Sequence, residues 1–125
     1  MGTRIHTELA PAAIGPYSQA MEAGGLIFTS GQIPLDPETG AVAGSTIEEQ
    51  THRVCQNLSA VLEAAGGSLQ TVVKTVCYLS DMDHFAAFNR VYAEYFTQKP
   101  ARSCVAAKSL PKNVLVEIEA VAEKA

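Results

Sequence analysis

Val114-Leu115-Val116-Glu117-Ile118-Glu119-Ala120-Val121-Ala122 alternates without a break: Val114, Val116, Ile118 and Ala120 point one way, Leu115, Glu117, Glu119 and Val121 the other. A period of two marks a β-strand that buries one face and presents the other. Upstream, Val72-Val73-Lys74-Thr75-Val76-Cys77-Tyr78-Leu79 is β-branched and mostly apolar, the profile of a strand covered on both faces. Residues 103–107 read as a short strand with Arg102 at its start. Asp81 or Asp83 opens a helix between these strands, its face carrying Phe85, Phe88, Tyr92, Tyr95 and Phe96, and Pro100 closes the region.

Toward the N-terminus, residues 18–23 and 26–30 flank Gly24-Gly25 and predict a tight β-hairpin. A polar loop over 35–44 leads to Ser45 and Thr46, each followed three positions later by Glu48 or Glu49, the spacing of a capping box. Ile47, Thr51, Val54, Leu58, Val61, Leu62 and Ala65 then recur at helical steps, and Gly66-Gly67 supplies the left-handed stop. The order is ββαβαββ, with an additional N-terminal strand at 4–6. The fold class is α+β: a mixed sheet with two helices packed on one face. The other face has no cover from this chain. Because it carries Leu115 and Val121, an oligomer is expected.

The chain's 125 residues fit one domain, able to bury roughly two-thirds of its unfolded surface without disulfides or metal. No internal repeat or linker divides it. Nine Lys+Arg against thirteen Asp+Glu give a net charge of −4, which argues against a sequence-indifferent nucleic-acid binder. No apolar run is long enough to cross a membrane. The N-terminal residues lack a hydrophobic signal core, and Cys55, Cys77 and Cys104 show no CxxC pairing, so a cytoplasmic protein with free thiols is expected.

Few residues offer chemistry on their own. His52 and Cys55, three apart on the first helix, are only two ligands, so no metal site is expected. Phosphate-binding glycine loops and a GxSxG elbow are absent. Cys104 follows Arg102 by two residues, but a cysteine in a Ser-Cys-Val-Ala strand reads as core rather than nucleophile. Arg102 presents a planar fork suited to a carboxylate; an ion pair with an Asp or Glu of the chain is the alternative. Glu117 stands mid-strand, where a charge is either solvated or functional. Tyr17 after Gly15-Pro16, and Ser30 before Gly31, lie at loop–strand junctions that can face a ligand.

Taken together these residues resemble the RidA (YjgF) family of reactive intermediate deaminases. The resemblance is carried by residues 12–20 (AAIGPYSQA) and 28–34 (FTSGQIP), and by Val72-Val73-Lys74-Thr75 with Tyr78-Leu79. It continues through Phe85 to Asn89, Pro100-Ala101-Arg102-Ser103-Cys104-Val105, Leu110-Pro111-Lys112 and Val116-Glu117-Ile118-Glu119-Ala120. It covers essentially the whole chain. It implies a chorismate-mutase-like fold and a homotrimer with active sites between subunits. It also implies hydrolysis of 2-imino acids, tautomers of 2-aminoacrylate-type enamines, to 2-keto acids and ammonia, with no cofactor and no metal.

Carried over by position, the resemblance makes Arg102 the carboxylate clamp and Glu117 the acid that holds the water. It places Tyr17, Ser30, Gly31, Asn89 and Cys104 in the pocket, Gly31 and Cys104 through backbone groups. Thr97-Gln98-Lys99 is shorter than in many members, which alters the cleft rim, and Asn113 stands where an Asp is frequent. The alternative function is a trimer that senses a small carboxylate without turnover. Retaining Glu117 as well as Arg102 favours an enzyme, since a pure binder needs only the arginine.

Overall fold

The computed structural model describes residues 2–125, and among these residues six strands make one sheet. They are β1 (Thr3–Ile5), β2 (Ala20–Ala23), β3 (Leu26–Thr29), β4 (Val72–Leu79), β5 (Ala101–Ala106) and β6 (Val116–Glu123), in the spatial order β1-β2-β3-β6-β4-β5. β6 lies between β3 and β4 and runs antiparallel to both. β4 and β5 are parallel. Such a pair needs a crossover, and α2 (Phe85–Tyr95) provides it. α1 (Ile47–Ala64) links β3 to β4.

Local chemistry sets each boundary. The β2–β3 hairpin turns on Gly24 (φ 60°) and Gly25 (φ 79°), two successive positive angles that a two-residue hairpin requires. At the start of α1, Thr46 Oγ1 accepts from the Glu49 N–H at 3.1 Å and Glu49 Oε1 accepts from the Thr46 N–H at 3.2 Å. At its end Gly66 takes φ 89°, so that its N–H reaches Glu63 O at 3.1 Å and the Gly67 N–H reaches Leu62 O at 2.9 Å. These two bonds satisfy carbonyls that a helix end leaves orphaned. Asp81 caps a short 3-10 turn ahead of α2 through the Asp83 N–H at 2.8 Å.

Both helices cover one face of the sheet. There Ile27, Leu58, Leu62, Leu79, Phe88 and Ile118 are fully buried. The alternation in β6 is realised: Val116, Ile118, Ala120 and Ala122 lie in the core, while Glu117, Glu119 and Val121 face outward. β4 differs from expectation. Thr75, Cys77 and Leu79 are buried, but Val73 and Lys74 are exposed and Val76 and Tyr78 half-buried. The described residues supply no layer on that side, and a bulge between Val72 and Lys74 turns Val73 outward. Met21, Phe28 and Val105 share this outer surface, so the side of the sheet away from the helices carries several exposed apolar side chains.

Candidate functional site

One cleft forms where the segment after β3 runs beside β6. The Ala120 N–H donates to Thr29 Oγ1 at 3.0 Å, and Gln32 exchanges both backbone hydrogen bonds with Ile118, at 2.8 and 3.1 Å. Ser30 and Gly31 are thereby laid along the strand at Glu117. A Cβ on Gly31 would overlap Glu117 Oε2 and stand 2.8 Å from its Cδ, so only glycine lets the carboxylate rest against this backbone. Ser30 Oγ donates to Ser18 O at 2.6 Å. Tyr17, 52% exposed, borders the same cavity of about 480 Å³, together with Ile14, Lys112 and Glu119.

Buried amides hold this cleft open. Gln19 accepts from the Thr7 N–H at 2.7 Å and donates to Thr7 O and Pro11 O at 3.0 and 2.8 Å, tying down the N-terminal wall. Asn57 on α1 donates to Ile33 O and Leu35 O at 3.1 and 3.0 Å, and Gln50 bridges Gly44 O to the Leu115 N–H. Asn57→Ala would leave the buried Leu35 carbonyl without a donor, while the Ile33 carbonyl would keep only the Leu35 N–H. It is expected to destabilise the protein by about 1–3 kcal/mol in denaturant unfolding.

The second cleft lies at the edge strand. Arg102 of β5 donates from Nη1 to Asn89 Oδ1 at 2.6 Å, and its guanidinium carbon sits 4.9 Å from the Tyr92 ring centroid and 5.4 Å from that of Phe85. Tyr92 is itself fixed by Thr75, the two hydroxyls being 2.7 Å apart. Asn89, Tyr92 and Arg102, with Ala93, Phe96 and Lys99, line a cavity of about 490 Å³. The ion pairs among the described residues are Arg90–Glu48 and Lys124–Glu22, so Arg102 faces no carboxylate of its own chain. Its charge is stacked and aimed by neutral groups, which leaves the fork available.

Strand register separates the two clefts. Arg102 pairs with Thr75, which is buried on the helix side, whereas Glu117 pairs with Tyr78 on the opposite side. Arg102 and Asn89 are therefore brought together, as are Tyr17, Ser30, Gly31 and Glu117, but the two sets lie on opposite faces of one sheet. Cys104 stands opposite Cys77 on the helix side. Burial pushes its thiol up, against the pull of Arg102, which disfavours a thiolate nucleophile. His52 faces Tyr95, with Nδ1 2.8 Å from the hydroxyl.

Burial first, and the neighbouring Glu119 second, push the Glu117 carboxyl up from the ordinary glutamate range. A group whose folded value is raised opposes folding once it ionises, and the penalty vanishes below its unfolded value. Glu117→Gln is expected to raise the melting temperature at pH 7–8, the gain closing as the pH falls toward about 4. Calorimetry across that range checks it.

Gln19, Gln50, Asn57 and Thr29 are positioning residues that reading the sequence for chemistry passed over. Asn57 carried a usable signal: an amide between Val54 and Val61 on the apolar stripe of α1 has to satisfy something buried.

The family model described as Endoribonuclease L-PSP matches residues 7–124. A RutC family protein of Pyrococcus horikoshii is 55% identical over 96% of each chain. The 2-iminobutanoate/2-iminopropanoate deaminase of Salmonella typhimurium is 47% identical over 98% of each. Among solved structures, E. coli TdcF with bound serine superposes with a TM-score of 0.93 at 39% identity, covering 98% of this chain and 99% of that one.

Proposed function

We propose, from the premise that this chain belongs to the endoribonuclease L-PSP family of YjgF and RidA proteins, that it hydrolyses reactive 2-imino acids and their enamine tautomers to 2-keto acids and ammonia. The observation that carries this reading is Arg102: a half-buried guanidinium, oriented by Asn89 and two rings, with no anion of its own chain. A bidentate carboxylate fits it. The serine bound by TdcF has the same arrangement of a carboxylate beside a nitrogen-bearing carbon.

Because Arg102 and Glu117 face opposite sides of the sheet, the reading requires two chains. In the proposed homotrimer the β5 edge of one subunit meets the Glu117 cleft of the next, and the apolar outer faces pack on one another. Arg102 holds the carboxylate and fixes the C=N carbon near Glu117. Glu117 orients a water and accepts one of its protons as the oxygen bonds to the iminium carbon. It returns that proton to the nitrogen of the resulting carbinolamine. The C–N bond then breaks, its pair leaving with nitrogen, while the hydroxyl closes to the carbonyl and its proton leaves on ammonia as ammonium. Tyr17 and Ser30 border the water's approach.

The family description speaks of an endoribonuclease. In this chain thirteen acids outnumber nine bases, and Glu117 and Glu119 form the floor of the first cleft, a surface that repels a phosphate backbone.

A serine or threonine dehydratase run with and without the protein tests the reading. Faster release of 2-keto acid, absent with Arg102→Ala, is the expected result. Unchanged release alongside Arg102-dependent binding of a 2-keto acid would instead identify a carboxylate sensor.

A further inference from the structure

Glu117 and Glu119 are successive outward residues of β6 and line the same cleft. Tyr78 of β4 is the cross-strand partner of Glu117, yet its hydroxyl reaches diagonally and donates to Glu119 Oε1 at 3.0 Å. The phenol thus lies among both carboxylates and commits its single proton to one of them. A carboxylate that accepts such a bond is favoured as the anion, and like charges sharing a site do not ionise equally.

The other groups facing Glu117 within the described residues do not undo this asymmetry. The Arg102 that the proposed trimer brings from a neighbouring subunit is common to the native chain and its Glu119 variants, so it leaves the difference between them. Tyr17 comes from the N-terminal loop, and the segment after β3 brings no charged group, its polar contributions being Ser30, the Gly31 backbone and Gln32. Lys112 borders the cleft, but its ammonium donates to Gly40 O at 3.2 Å. Neither glutamate is in an ion pair among the described residues.

We propose that Glu119, fixed by Tyr78, is a positioning residue for the hydrolysis: its negative charge makes Glu117 the carboxylate that takes the proton from the attacking water and passes it to the departing amine. The inference rests on the imine-hydrolysis reading and assigns its proton traffic to one of two adjacent acids. The same negative charge favours a cationic iminium over a neutral imine in the cleft.

The test is a carboxyl ¹³C NMR titration of Glu117, run beside the pH profile of kcat/KM, in the native chain and in Glu119→Gln, Glu119→Asp and Tyr78→Phe. Glu119→Gln is expected to lower the Glu117 midpoint and the acid limb of the profile together, by about half a pH unit or more. Glu119→Asp, which keeps the charge, is expected to restore most of that shift. Tyr78→Phe is expected to spread the protonation step over both carboxyls, seen as a two-step Glu117 titration. This variant carries the test if Glu119→Gln does not fold. A Glu117 midpoint and an acid limb unmoved in Glu119→Gln, or a single unshifted Glu117 step in Tyr78→Phe, would overturn the proposal. Shifted titrations in a protein inactive on imino acids would instead sink the hydrolysis reading and leave the coupling of the two acids standing.

Discussion

Arg102→Ala is expected to lower kcat/KM for a 2-imino acid by roughly a hundred- to ten-thousandfold, because the clamp supplies two charge-assisted hydrogen bonds worth about 1.5–3 kcal/mol each. The loss is expected in both KM and kcat, since the same bonds hold the substrate and aim its C=N carbon at the water. The fold should tolerate the change: Arg102 lies on an edge strand, half-exposed, and leaves behind Asn89, which water can reach. A melting temperature close to the native value would show that the defect is in the site. Arg102→Lys keeps the charge but not the planar fork or the stacking on Tyr92 and Phe85, and should recover only a small part of the activity. Equal activity in the lysine variant would mean that the guanidinium geometry is irrelevant.

Gly31→Ala is expected to be almost as damaging, although it adds one methyl group to a loop. The new Cβ would occupy the space of Glu117 Oε2 and press on its Cδ and Cγ, at 2.8 and 3.0 Å. The loop cannot retreat, because Gln32 is hydrogen-bonded to Ile118 on one side and Ser30 to Ser18 and Gln19 on the other. The carboxylate therefore has to move. A displacement near 1 Å of a group that places the nucleophile costs on the order of a hundredfold in kcat. Binding of a 2-keto acid at Arg102 should change little. Ser30→Ala, which removes a hydroxyl but adds no bulk, should be milder than Gly31→Ala. The reverse order would contradict the close approach of Gly31 to Glu117.

The outline of the fold was legible because hydrophobic period reports which face of an element is buried. The alternation around Glu117, the apolar stripe of α1 and the glycines at 24–25 and 66–67 each mark a local decision of the backbone. The two-sided apolar character of β4 predicts burial on both faces. In the chain it covers a core on one side and an open apolar face on the other, and composition alone does not distinguish a helix layer from a second molecule. The residue types of the site were legible too, through the resemblance and the chemistry of Arg102 and Glu117. Their separation was not. It depends on the pairing of Thr75 with Arg102 and of Tyr78 with Glu117, a register set by contacts distant in sequence. The buried amides Gln19 and Asn57 escaped notice for a related reason, since their partners are backbone carbonyls of loops that carry no side-chain signature.

The most direct test of the account mixes two inactive variants. Arg102→Ala lacks the clamp and Glu117→Gln lacks the proton acceptor, so each alone should fail in the dehydratase-coupled assay. If every site joins Arg102 of one subunit to Glu117 of its neighbour, random mixed trimers place both native residues in about a quarter of sites. Unfolding and refolding the two variants together should therefore restore about a quarter of the native activity. Full inactivity of the mixture, with hetero-oligomers demonstrated by native mass spectrometry, would contradict a site shared between chains.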